Sequence, residues 1–406
     1  MTAFAAIERL SDVAAPAGPQ TSGRVIQTSL ATLRKHLGMD VAFLGRFYEG
    51  RRWFEFVDAD SSLCPVQPGG SDPLEESYCA RVVDGRLPQL VRDATREPAV
   101  ADLPATTELP VGAHLSVPLH RSSGELLGTL CCFSHQADPS LRERDIQLLR
   151  MFADLVSVHM EALLEHDENV EAVRTQIRSV LSSGGPLMAM QPVVDLATER
   201  VVAYEALARF TGRFDWTPDR WFVEASQVGL GPDLEASAIA SALRVLPRLP
   251  QGAHLAVNIS PATLLHTPAM DLLTGQHAPR LVVELTEHDR VDSYEATSGP
   301  LARIRRAGAR VAVDDAGSGY AGLEHILQLQ PEVLKLDRQV VTGLAEHPGR
   351  QAMVDAMVGF ARRTGATVVA EGVETADDVR ALRESGVEHG QGWHLGRPSL
   401  EFSSGR

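Results

Sequence analysis

The residues from Val311 to Tyr320 read VAVDDAGSGY, a short valine-rich strand that runs into two adjacent carboxylates, Asp314 and Asp315, and then a turn with glycines at 317 and 319. Adjacent carboxylates repel unless a cation or proton lies between them, so the pair is a candidate divalent-metal site. Alone, such a pair is more often a solvated turn. Its weight comes from the rest of the chain. From Leu187 onward, short apolar runs alternate with helical stretches, and each run ends in polar residues. MAMQPVVD carries Gln191, VVAYEALAR carries Glu205 and Arg209, LAVNIS carries Asn258, and LVVELTE carries Glu284 and Glu287. VAVDDAGSG carries Asp314 and Asp315, VLKLD carries Lys335 and Asp337, VVAEGVE carries Glu371 and Glu374, and GQGWHLGRP carries Gln391. Eight such units predict a TIM-type (β/α)8 barrel, whose functional groups gather where strands run out into loops.

Glu205, Asn258, Glu284 and Asp314 are hard oxygen donors with no Cys or His among them, a set that selects Mg²⁺ or Mn²⁺ over zinc. Asp315 and Glu371 add carboxylates for a second cation. Two cations about 4 Å apart can activate a water and stabilise the leaving oxygen of a phosphodiester. Lys335 can orient that water or offset phosphoryl charge; the alternative is a salt bridge to Asp337, two residues on along the same strand face.

The elements that must position these groups fit a globular α/β chain of 406 residues, long enough for two or three domains, with 44% apolar residues. A formal net charge of −15 argues against a basic surface for polymeric nucleic acid or an anionic membrane. No run approaches the roughly 18 apolar residues of a membrane span, and the start lacks a basic region followed by an apolar core. Cys131 and Cys132 are adjacent on an expected strand and so point to opposite faces, which with Cys64 and Cys79 suggests reduced thiols and a cytoplasmic protein.

Residues 1–22 are expected as a flexible tail, 23–165 as an α+β domain, 140–183 as a connecting helix overlapping its end, and 187–401 as the barrel. VAFLGRF and WFEFV predict a hairpin through the turn EGRR, and AHLSVPLH with ELLGTLCCFS another around Ser122, Ser123 and Gly124. A helix is expected over Val25–His36 and one is expected to open at Pro139 with Ser140. In the latter, Ile146, Leu149, Ala153, Val156, Met160 and Leu163 alternate at spacings of three and four. That spacing fits either a parallel coiled-coil dimer seam or a helix packed on its own sheet. SSGGP, 182–186, ends it.

Residues 22–165, with the late pair SVPLH and GTLCCFS, resemble a GAF sensor domain, which implies a small-molecule ligand of unspecified kind. The Asn-Lys-Phe-Asp-Glu signature of cyclic-nucleotide-binding members is absent. Cys79 fits a chromophore anchor, a redox sensor or, more ordinarily, a small buried hydrophobe.

Residues 187–401 resemble an EAL domain, the barrel that hydrolyses the bacterial messenger cyclic di-GMP to linear 5′-pGpG. The resemblance rests on Glu205-Ala206-Leu207, Asn258-Ile259-Ser260, Glu284-Leu285-Thr286-Glu287, DDAGSGY, Lys335-Leu336-Asp337, Ala370-Glu371-Gly372-Val373-Glu374 and Gln391-Gly392, in that order. It implies that Glu205, Asn258, Glu284 and Asp314 hold the first of two Mg²⁺ or Mn²⁺ ions, with Asp315 helping to place the second. It also implies that Lys335 and Glu371 position and deprotonate the water, that Arg209 contacts phosphate, and that Gln191 and Gln391 contact the ligand. Glu287 would tether the loop after Asp315, through Ser318. One barrel strand would run antiparallel, and the chain would be a homodimer. The chain departs from the family at Ala316, where Phe is usual, at Ser318 for Thr, at Ala321-Gly322 for two serines, and at Ala203 for Gly. These changes imply a looser loop and leave open a catalytically weak receptor that signals through a partner. A third reading, a Mg²⁺ enzyme using Lys335 as base on a carbon acid, fits Asn258 and the paired aspartates less well.

Overall fold

The computed structural model describes residues 18–60, 64–285, 294–316 and 323–401. Glu287, Ser318, Ala321 and Gly322 lie outside them. The chain divides into two compact units, Met1–Asn169 and Val170–Arg406.

In the first unit, six antiparallel strands form one sheet. They are β1 (Val41–Tyr48), β2 (Arg51–Ala59), β3 (Ser71–Pro73), β4 (Leu90–Val91), β5 (Ala113–His120) and β6 (Leu126–Ser134), in the order β3-β2-β1-β6-β5-β4. Both predicted hairpins form. Glu49 and Gly50 take φ of 51° and 70° between β1 and β2, the pair of left-handed residues that a two-residue hairpin needs. Cys131 and Cys132 do face opposite sides: Cys132 packs with Ile26, Leu30 and Leu33 of the helix Pro19–Leu37, Cys131 with Phe43, Phe54 and Tyr78. That first helix starts at Pro19, so residues 19–22, expected in the tail, form its first turn.

The connecting helix runs from Glu143 to Ser182, opening three residues later than expected because Ser140 and Arg142 bond locally to Asp138 and Asp145. Of the two readings of its 3,4 spacing, packing on the chain's own sheet is the one the structure bears out. Ile146, Leu149, Ala153, Val156 and Met160 are buried in the first unit's own core against the N-terminal helix and β5, so the 3,4 spacing records packing within the chain. On the same helix Met151 and Val158 are exposed, at 61% and 48%, with Leu155 half-buried between them. Farther along, within the second unit, Val173, Ile177 and Val180 pack with Trp221, Ala225 and Leu234.

The second unit is a closed barrel of β7 (Leu187–Asp195), β8 (Val201–Arg209), β9 (His254–Ile259), β10 (Leu281–Leu285), β11 (Arg310–Ala316), β12 (Val333–Leu336), β13 (Thr367–Ala370) and β14 (His389–Gly390). β7 pairs antiparallel with both β8 and β14, and the other barrel pairings are parallel. The last strand is two residues long and ends before Gln391, where the sequence pattern had placed its body. Outward residues such as Leu281, Val283 and Leu285 join the main core, while Val193, Ala256, Val282, Ala312, Val333 and Val369 form an apolar layer inside the barrel. Among the described residues no helix is long and apolar enough to cross a membrane.

Candidate active site

The polar layer follows from the apolar one by the two-residue period of a strand. Two residues beyond Ala256, Val282, Ala312, Val333 and Val369 come Asn258, Glu284, Asp314, Lys335 and Glu371, and two beyond Ala203 and His389 come Glu205 and Gln391. Gln191 instead precedes Val193 by two, because β7 runs the other way and stands directly opposite Glu205. The sequence-predicted residues thus share one end of the barrel.

Lys335 is the hub. Its side chain is 2% exposed, and Nζ lies 2.6 Å from Glu371, 2.8 Å from Glu284, 3.2 Å from Asp314 and 3.7 Å from Glu205. The alternative pairing with Asp337 does not form. Asp337 instead accepts from Gln339 N at 2.6 Å and caps the helix Arg338–Val341. Burial opposes the Lys335 charge, but the four carboxylates outweigh it and raise its pKa well above the ordinary lysine range.

Glu205 accepts from Gln391 Nε2 at 2.5 Å and Asn258 Nδ2 at 3.0 Å. Burial works against its ionisation, yet Lys335 and these amides hold its pKa below the usual value. Gln391 Nε2 also donates to Gln191 Oε1 at 3.0 Å, and Gln191 Nε2 to Gly396 O at 3.1 Å. These two glutamines therefore steady Glu205, an arrangement that sequence reasoning missed. Gly392 is needed beside them, because a Cβ there would come within 2.2 Å of the Val373 backbone, which itself donates to Gln391 O.

The two aspartates face the site together because β11 bulges. Val313 pairs with Leu334 but Ala316 with Leu336, so one extra residue enters at Asp314-Asp315, and Asp315 takes φ of 54°. Without that left-handed residue the two side chains would point to opposite faces. Carboxylate oxygens of Asp314, Asp315 and Glu371 instead lie within 4.8 Å of one another. Ala316 is wholly buried in the barrel's main core.

The donor set fits divalent cations. Burial, followed by repulsion from Glu205 and Asp314, pushes Glu284 well above the carboxylate range despite Lys335. Burial and the charges of Asp314 and Glu205 push Glu371 up to about 8, again against Lys335. Burial and Asp314 push Asp315 up to about 6, with Asp337 adding to the rise. Five carboxylates around one ammonium are under-compensated, and hard dications would supply the missing charge.

An open cavity of about 540 Å³ adjoins this cluster. Its wall includes Glu205, Arg209, Asn258, Asp314 and Asp315 from the predicted set, together with Asp219, Phe222 and Glu235. Glu235, which no motif marked, accepts from Ser260 N at 2.7 Å and so holds the loop after Asn258.

A family model described as an EAL domain matches residues 173–398, and one described as a GAF domain matches residues 23–160. The chain is 28% identical over 256 residues to the probable cyclic di-GMP phosphodiesterase PdeA of Escherichia coli K12, covering 59% of this chain and 35% of that protein. It is 33% identical over 216 residues to the probable cyclic di-GMP phosphodiesterase PdeB of the same organism, covering 50% and 40%. The chain spans about a third of the length of the first curated relatives it matches. Among solved structures, the EAL domain of Xanthomonas citri FimX in complex with c-diGMP superposes with a TM-score of 0.53 at 23% identity, over 59% of this chain and 99% of that one. The PaMucR phosphodiesterase in its c-di-GMP complex gives 0.50 at 26%, over 56% and 97%.

Proposed function

Because the chain belongs to the EAL family, with a GAF domain ahead of the barrel, we propose that it is a phosphodiesterase that opens cyclic di-GMP to linear 5′-pGpG, regulated by a small molecule at the GAF domain. The observation that carries this reading is the carboxylate ring around Lys335, opening onto a cavity whose wall also holds Arg209.

In this reading Glu205, Asn258, Glu284 and Asp314 hold one Mg²⁺ or Mn²⁺, and Asp315 helps hold a second. Bound there, the ions would lower the pKa of a water and neutralise charge on the phosphodiester. Glu371, its carboxyl pushed up to about 8, takes the proton as the water oxygen bonds to phosphorus and the P–O3′ bond breaks, the departing 3′-oxygen gaining a proton from solvent. Lys335 keeps Glu371 in place and offsets the growing phosphoryl charge. Arg209 contacts a ligand phosphate, while Gln191 and Gln391 act through Glu205 as well as on the ligand. Glu287 and Ser318 are assigned to loop support by the family motif. Four free thiols suit the reducing cytoplasm where such a messenger would act. The exposed Met151 and Val158, with half-buried Leu155 between them, support a homodimer through the connecting helix.

The test is conversion of cyclic di-GMP by the purified chain, followed by chromatography with Mg²⁺, with Mn²⁺ and with chelator. Metal-dependent 5′-pGpG is expected; no product with either ion refutes the enzyme. One observation favours a receptor instead: Lys335 already compensates part of the ring, so the site can hold together without cations. Saturable binding in chelator with no turnover would establish that reading.

A further inference from the structure

The N-terminal unit holds a second group of metal-ligating side chains, different in chemistry from the barrel's oxygen donors. His114 and Cys131 lie on β5 and β6, where Ser116 pairs with Cys131 and His114 with Phe133. The two-residue period puts His114, Ser116 and Cys131 on one sheet face. The helix Tyr78–Val83, capped by Ser77, brings Cys79 onto that face. The two sulfurs lie 3.1 Å apart, and one ligand atom from each of Cys79, His114 and Cys131 lies within 4.8 Å of the others.

Three further observations point to a cation. His114 is 2% exposed and its ring is hydrogen-bonded to Cys79, while its Nδ1 has no hydrogen-bond partner, which is costly for a buried nitrogen. Both sulfurs are flanked by polar groups of the kind that steady ligating thiolates: Arg52 Nη1 donates to Cys79 at 2.9 Å, and the Ser116 hydroxyl lies 3.1 Å from Cys131. Arg52 is itself balanced by Asp72, with contacts of 3.0 and 2.5 Å. That pair is neutral, so two thiolates and one dication leave a neutral assembly among Phe43, Phe54 and Phe133. Next to it, a cavity of about 20 Å³ bounded by Arg52, Tyr78 and His114 has room for a single water.

We infer that Cys79, His114 and Cys131 bind a thiophilic metal ion of the zinc class, with a water in the fourth position. Two thiolates and an imidazole select such ions over Mg²⁺ or Mn²⁺. Zinc–sulfur bonds of about 2.3 Å would spread the sulfurs to about 3.7 Å, a shift of a few tenths of an ångström for each thiol. Two thiol protons leave as the ion enters.

The experiment uses the full chain, reduced with a phosphine and stripped by chelator, then titrated with Co²⁺ as a spectroscopic stand-in for zinc. Thiolate-to-cobalt charge transfer in the near ultraviolet, saturating at about one equivalent and bleached by Zn²⁺, is expected. The barrel's oxygen donors give no sulfur band, so the result is independent of phosphodiesterase activity. Cys79→Ser should remove about half or more of the band's intensity, since only the Cys131 thiolate remains, His114→Ala should weaken Co²⁺ binding at least about tenfold, and Cys132→Ser, on the opposite face, should leave it unchanged. Absence of a sulfur band in the reduced wild type overturns the inference, as does a band of undiminished intensity in Cys79→Ser. A Cys79–Cys131 disulfide whose reduction restores no cobalt band overturns it too. If Cys79→Ser fails to fold, the wild-type titration alone decides.

Discussion

Replacing Lys335 by Met keeps the stem's volume but removes the one ammonium among Glu205, Glu284, Asp314 and Glu371, all within 3.7 Å of it. Removing one partner of a buried ion pair costs about 3–5 kcal/mol. A second route to the magnitude is protonation, since a buried carboxylate with no counter-charge takes up a proton instead. For a group of ordinary pKa 4.5, that costs about 5 kcal/mol at pH 8 but only about 1.4 at pH 5.5. The sign follows from the raised carboxyls. Glu371, with a folded value of about 8, is most favourable to folding below 4.5 and loses that contribution as pH rises through 8. The wild-type lysine, raised above its ordinary value, stabilises the fold throughout this range. In chelator, Lys335→Met should therefore lose about 3–5 kcal/mol at pH 8, a fall in melting temperature of about 10 °C for a unit the size of Val170–Arg406. The loss should shrink to about 1–2 kcal/mol at pH 5.5, and Mg²⁺ should recover much of it at pH 8. Thermal unfolding at both pH values, with and without Mg²⁺, reads all three. Equal losses at the two pH values, or none at pH 8, would refute the idea that the ammonium is the ring's counter-charge.

Glu205→Ala should remove 5′-pGpG formation and weaken Mn²⁺ binding by calorimetry; wild-type turnover would end its assignment as a ligand. Glu371→Gln should lower kcat about a hundredfold or more and flatten the alkaline rise of the wild-type rate, which a pH profile would reveal. Ala316→Phe, the family's usual residue, must enter a filled core at a wholly buried position, so a loss of about 1–3 kcal/mol is expected and a raised melting temperature would contradict it. Val158→Asp, on the exposed side of the connecting helix, should lower the mass seen by light scattering, whereas Val156→Asp should destabilise the first unit itself. An unchanged mass for folded Val158→Asp would remove that side as a dimer contact.

The barrel was legible because a closed parallel sheet makes each strand an apolar run with a period of two, so Val282-Val283-Glu284 and Val369-Ala370-Glu371 announce an inward plug followed by an inward carboxylate. The hairpin at Glu49-Gly50 was legible for an equally local reason, the left-handed turn its residues tolerate. The connecting helix was legible only as far as two alternatives, a dimer seam or packing on its own sheet. A 3,4 spacing reports that one helix face is buried but carries no information on what buries it, and the partner proved to be the chain's own N-terminal helix and β5. Lys335 posed the same problem: strand neighbours at i and i+2 share a face, so Asp337 looked a natural partner until barrel closure brought four carboxylates from β8, β10, β11 and the end of β13 nearer.

Residue identity and spacing by themselves determined which groups this protein can bring to chemistry: hard oxygen donors at the ends of barrel strands, and thiols in the N-terminal domain. Only the tertiary structure decided which of them meet. The bulge that turns Asp314 and Asp315 to one side, the amide pair that steadies Glu205 and the convergence of Cys79 with His114 and Cys131 all join residues on separate elements or break a strand's regular period. Such contacts depend on register, curvature and closure, which are properties of the packed chain that no local stretch encodes.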